Sequence, residues 1–135
     1  MELKAEKIFA DYDENGLLII GFSGKLSNED FYLIIQDASD REDEQEIELG
    51  MDTFHIEVND QSRGGYGGIT ELELWKNTLH LKLNEVGKKN LKTDSEIIDI
   101  RMKLSEPEFV NLSEKLNIIF EPEKEIKTAY NNGYK

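Results

Sequence analysis

The chain has 135 residues, with 16 Lys and Arg against 29 Asp and Glu and no cysteine, so its formal net charge is −13. That length fits one domain burying roughly two-thirds of its unfolded surface, and zero cysteine excludes disulfide and structural-zinc scaffolds. At 38% hydrophobic and 9% aromatic the chain is too apolar for a disordered acidic tail, while its charge argues against nucleic acid or an anionic membrane surface as partner, since both call for dense Lys and Arg.

The opening Met1-Glu2-Leu3-Lys4-Ala5-Glu6-Lys7 lacks the apolar stretch of a secretory signal, and no run approaches the roughly 18 apolar residues of a membrane span. The expected compartment is the cytoplasm. Residues 4–12 alternate weakly around Ala5, Ile8, Ala10 and Tyr12. Asp13-Glu14-Asn15-Gly16 is a turn signal, and Leu17-Leu18-Ile19-Ile20-Gly21-Phe22 reads as a well-buried strand, so the two segments make a hairpin. Phe31-Tyr32-Leu33-Ile34-Ile35-Gln36 admits strand or helix, and its β-branched and aromatic content favours strand.

The charge is unevenly placed. Residues 1–61 hold 17 acids and 4 bases, whereas residues 62–135 hold 12 of each, so the whole excess lies in the N-terminal half. Its densest run is Asp40-Arg41-Glu42-Asp43-Glu44-Gln45-Glu46-Ile47-Glu48. Such a run reads either as a solvated loop that keeps the protein soluble or as a landing patch for a basic partner.

Phe54, Ile56 and Val58 alternate with His55, Glu57 and Asn59, the pattern of a half-buried strand. A polar, glycine-rich loop spans 59–68. Leu72 and Leu74 then run through Trp75 into Lys76-Asn77, and Leu79, Leu81 and Leu83 continue on the far side, which predicts a hairpin. Residues 85–92 fit a short helix, and Ile98, Ile100, Met102 and Leu104 alternate as a further strand. Ser105-Glu106-Pro107-Glu108 is a capping-box sequence, followed at helical spacing by Phe109, Leu112, Leu116, Ile119 and Phe120 and stopped by Pro122. The expected fold is α+β and mostly β: an antiparallel sheet of about six or seven strands with a C-terminal helix packed on one face. Residues 1–120 read as the single domain and 121–135 as a polar tail.

Motifs that would carry chemistry are weak. Asp11-Tyr12-Asp13-Glu14-Asn15-Gly16 matches half of a calcium loop, but Phe22 stands where the closing Glu belongs. Gly64-Gly65-Tyr66-Gly67-Gly68 has neither the Lys nor the following helix of a phosphate loop, and four glycines suit positive φ angles in a tight connection. Its one large side chain is Tyr66, flanked by Arg63; the pair suits protein recognition, and Tyr66 folded back on the core is the alternative. His55 and His80 fall in the polar phase of strands, and His55 with Glu57 on one face offers an acid–base pair. No metal site or cofactor is expected from the spacing. Asn111-Leu112-Ser113 is formally a glycosylation sequon but lies inside the predicted C-terminal helix.

The stretch EQEIELGMDTFHIEVNDQSRGGYGGI, residues 44–69, is the most specific pattern present. Its Leu49-Gly50-Met51-Asp52, Phe54, Glu57 and Tyr66-Gly67-Gly68-Ile69 resemble immunity protein family ten of bacterial polymorphic toxin systems. The likeness extends over about residues 4–120, taking in Gly21-Phe22, Tyr32-Leu33-Ile34 and the C-terminal helix. It implies a small, mostly β, non-enzymatic protein encoded beside a toxin and protecting the cell by binding it. It supplies no contact residues. The acidic run adds a basic, nuclease-like surface as the expected target, with Asp40, Glu42, Asp43, Glu44, Glu46 and Glu48 as candidate contacts and Arg63 and Tyr66 as candidate anchors. A small enzyme using His55 and Glu57, and an interaction module without a toxin, are the other readings.

Overall fold

The computed structural model describes residues 1–26 and 28–131. The described residues form nine strands, most of them on alternating apolar residues: β1 (Glu2–Tyr12), β2 (Leu18–Leu26), β3 (Glu29–Gln36), β4 (His55–Val58), β5 (Gly64–Tyr66), β6 (Ile69–Trp75), β7 (Thr78–Leu83), β8 (Ile97–Arg101) and β9 (Lys127–Asn131). Three helices intervene: α1 (Glu44–Glu48), α2 (Glu85–Leu91) and α3 (Glu106–Phe120). The strands form one sheet in the order β5-β4-β3-β2-β1-β8-β7-β6-β9.

The mostly β, α+β class and the C-terminal helix stand; the strand number and the antiparallel description need correction. Nine strands form the sheet, and two contacts are parallel, β1 with β8 and β6 with β9. The additional strands carry little apolar alternation of their own. β5 is Gly-Gly-Tyr, inside the stretch read as a loop, and β9 lies in the stretch read as a polar tail. Both take their conformation from a neighbour's ladder rather than from local pattern. Residues 132–135 lie outside the described residues.

The break in β1 between Ala5 and Ile8 has a cause. The register with β2 shifts between Ala5 and Lys7, and the extra residue of this bulge resets which side chains face the core. Leu3 and Ala5 point inward before it, with Ile8 and Ala10 packed against the core after it. Leu18, Ile20 and Phe22 of β2, Leu33 and Ile35 of β3, Ile56 and Val58 of β4, and the leucines of the β6–β7 hairpin complete the same face.

Helix α3 lies over that face. Ser105 accepts from the Glu108 N–H at 3.3 Å and Glu108 accepts from the Ser105 N–H at 2.9 Å, so the expected capping box forms. One stripe, Leu112, Leu116, Ile119 and Phe120, is buried, and Phe120 packs on Phe54 with ring centroids 4.9 Å apart. Leu91 of α2 joins the same core. The opposite face of the sheet is different: among the described residues, no side chain in that strand phase is fully buried.

Candidate functional site

The acidic run joins β3 to β4 and is partly helical rather than a plain loop. Asp43 caps α1 by accepting from the Glu46 N–H at 3.0 Å, and Asp40 accepts from the Glu42 N–H at 2.9 Å. The run's one base is turned inward. Arg41 Nη2 donates to Asp37 Oδ1 and to the Ile119 carbonyl, each at 2.8 Å, while Nη1 lies 3.3 Å from Glu123 Oε2. The Thr53 hydroxyl donates to the other oxygen of Glu123. Arg41 therefore meets a carbonyl in the last turn of α3, where a cation is favoured by the helix dipole, and ties the acidic segment to that helix. Burial pushes the Glu123 carboxyl above the usual glutamate value, against the pull of Arg41.

With its base engaged inside, the segment presents carboxylates outward. Asp40, Glu42, Asp43, Glu44 and Glu48 are exposed and Glu46 is half-buried. Among them stand two bare aliphatic side chains, Ile47 at 50% and Leu49 at 63% exposure. An apolar residue in an acidic run has no periodicity to reveal its direction, so the sequence alone does not mark these two as exposed.

Tyr66 and Arg63 part company. Tyr66 is paired with His55 across β4 and β5, its ring meets the imidazole edge-on at 4.9 Å, and both lie on the face turned away from the core. His55 is the neighbour of Gln36, where β3 leaves for the acidic segment, so Tyr66 stands at that end of the sheet. Arg63 stands at the other end of β4, where its carbonyl accepts from Val58 N–H, and its Nε donates to the Leu91 carbonyl at 2.9 Å. It braces the end of α2.

The glycine loop divides in the same way. Gly67 and Gly68 adopt φ of 71° and 93°, the freedom expected of them, whereas Gly64 and Gly65 are extended in β5. A Cβ on Gly65 would lie 2.4 Å from the Asn90 side chain. That glycine is there for the approach of α2, not for a turn.

The His55 and Glu57 pair offered by sequence is not joined by a hydrogen bond among the described residues. Glu57 accepts the Tyr32 hydroxyl at 2.6 Å instead, and burial lowers the His55 pKa while Glu57 raises it. His80 Nδ1 lies 2.6 Å from Asp99 Oδ1 across β7 and β8. Four strands separate β4 from β7 in the sheet order, and no group of three or more His, Cys, Asp or Glu among the described residues is arranged to hold a metal ion. The half calcium loop is a hairpin turn, its Asp13 Oδ1 accepting from Asn15 N–H at 2.8 Å and Leu17 N–H at 2.9 Å. Asn111 of the sequon is within α3 and donates to the Ala10 carbonyl.

These features define an α+β, mostly β domain whose distinctive surface is an acidic segment held out from one end of a single sheet. The chain belongs to the family Immunity protein 10, whose model matches residues 4–110. That span runs from β1 to the first turn of α3 and includes the whole acidic segment and the Tyr66-Gly67-Gly68-Ile69 motif. No curated protein and no solved structure matches the chain. No helix among the described residues is long and apolar enough to cross a membrane.

Proposed function

We propose that this protein is a non-enzymatic inhibitor that neutralises a cognate protein toxin in the bacterial cytoplasm by stoichiometric binding, covering a basic surface such as a nuclease cleft presents. The observation that carries this reading is the outward display of Asp40, Glu42, Asp43, Glu44, Glu46 and Glu48 around Ile47 and Leu49, with Arg41 withdrawn into the fold. Carboxylates alone would speed encounter at long range; bare aliphatic side chains among them add area that gains from losing water. Tyr66, on the same end of the sheet, is a further contact, and Arg63 serves through the brace it gives α2.

The test is the association rate with the toxin domain encoded beside the gene, for the wild type and for a chain with these six acids changed to their amides. At low salt the variant should associate about 10-fold or more slowly, and the gap should close as salt shortens the Debye length to a few ångströms. An unchanged rate at low salt moves the interface away from the acidic segment. Absence of any binding by the wild type removes the inhibitor reading itself.

A further inference from the structure

The bare face of the sheet carries an apolar centre that the acidic segment only borders. Register fixes which side chains share it. Phe9 of β1, Gly21 of β2, Ile34 of β3 and Glu57 of β4 lie in one row across the strands. The next row, toward the acidic segment, is Asp11, Ile19, Gln36, His55 and Tyr66. Residues opposite each other in a ladder point to the same face, and this is the face without the core.

Two features set the patch apart from an ordinary solvated sheet. Phe9 sits in mid-strand yet is 52% exposed, while the polar phase of a strand normally holds charged or hydroxylated side chains. Beside it, Gly21 leaves a dent. A Cβ built there would be 4.0 Å from both Phe9 Cβ and Ile34 Cγ1, so the space over its backbone is walled by Phe9 and Ile34 and is empty of clashes. Ile19 extends the apolar surface along β2, and Tyr32 and Tyr66 flank it.

The surroundings specify the charge of what fits. All these strands except β5 lie within residues 1–61, which hold 17 acids and 4 bases. Of the four bases, Arg41 is bound inside, Lys25 is paired with Asp30 at 2.7 Å, and Lys4 and Lys7 stand on β1 beyond Phe9, at the end of the patch away from the acidic segment. The β1–β2 turn with Asp13 and Glu14 and the acidic segment after Gln36 both stand at the Ile19 end of the patch. An apolar centre with an acidic border is the anatomy of a contact surface for a protein with an apolar side chain ringed by Lys and Arg.

We infer that the Phe9–Gly21–Ile34 dent on the bare sheet face is the centre of the toxin contact, taking an aliphatic side chain of a basic toxin surface, with the acidic segment as its steering rim. The inference rests on the inhibitor reading above and assigns the step of holding, as opposed to encounter, to different residues.

The experiment measures association and dissociation separately with the adjacent toxin domain, using Gly21→Trp, which fills the dent, and Phe9→Ser, which strips its wall. Phe9 is exposed, so its variant serves if Gly21→Trp melts below the wild type. Each change should speed dissociation about 30-fold or more, the size seen at interface hot spots, with association altered less than about threefold. Wild-type dissociation by both folded variants overturns the inference and leaves the inhibitor reading in place. Failure of the wild type to bind removes both. If the wild type sediments as a dimer that Phe9→Ser makes monomeric, the face belongs to a second copy of this chain and the inference falls.

Discussion

Tyr32 and Glu57 form a polar contact on the bare sheet face, and its titration follows from which atom holds the proton. The phenol donates to Glu57 Oε2 at 2.6 Å, so ionising it would break that bond and set two negative charges together. The hydrogen bond, partial burial and the Glu57 charge all hold the phenol neutral, pushing its pKa from 10.0 up to about 12. Tyr130 also reaches about 12, through burial alone, its hydroxyl lacking a partner among the described residues. In an alkaline absorbance titration, Glu57→Ala should return one late tyrosine toward the ordinary value and leave Tyr130 late. A wild-type phenol that stays neutral above its unfolded value adds stability fully present below pH 10.0 and lost as pH climbs toward about 12. If Glu57→Ala leaves the titration unchanged, the hydroxyl is not bonded to that carboxylate in solution.

At the scale of elements, α2 is docked by a glycine-to-glycine contact. The Gly68 carbonyl accepts the Asn84 N–H at 3.0 Å, and a Cβ on Gly87 would fall 2.3 Å from that same carbonyl oxygen. Two opposing effects meet in Gly87→Ala. Alanine is favoured over glycine in a helix by roughly 1 kcal/mol, but the clash is with backbone, which cannot rotate aside as a side chain would. Overpacking of this kind typically costs about 1–3 kcal/mol, so a net loss in urea denaturation is expected. A gain would mean that α2 sits further from Gly68 than described.

Strong local patterns made several elements readable beforehand. The Leu72–Leu83 hairpin, the alternation from Ile98 and the capped helix at Ser105 each state their period within a few residues. What escaped depends on partners far along the chain. β9 is polar in sequence because it is an edge strand, and only its parallel ladder with β6 makes it a strand. The inward turn of Arg41 depends on the Ile119 carbonyl, 78 residues away, and the Tyr32–Glu57 contact spans 25. The acidic segment was legible as charge; its tether and its bare Ile47 and Leu49 were not. Phe9 falls outside the weak alternation of Ala5, Ile8 and Ala10, but only the ladder with β2 shows which face it shares and with what.

For the whole molecule, the fold is larger than the stretch that carries family membership. The family match ends at residue 110, but Leu112, Leu116, Ile119 and Phe120, all buried, follow it. Burying such side chains contributes about 1.5–3 kcal/mol each, so the four together rival the roughly 5–15 kcal/mol by which a domain of this kind is stable. A chain cut after Val110 should therefore be unfolded by circular dichroism, and would also lose the helix end that Arg41 clasps. A cut after Ile126 tests something different. It keeps α3 and removes β9, which among the described residues pairs with β6 alone, so β6 becomes the edge of the sheet. That edge is seven residues long, includes buried Leu72 and Leu74, and ends in Trp75, itself 52% exposed. Glu71 and Glu73 on its outward phase blunt that edge only in part, and an unpaired ladder of this length is a template for another chain. The expected result is a folded protein with a lower urea midpoint that self-associates with concentration in sedimentation velocity, where the full chain does not through this edge. A folded, fully stable chain ending at Val110 would show that the core closes without α3; a chain ending at Ile126 that stays monomeric at full stability would reduce β9 to an ornament on a sheet already complete at β6.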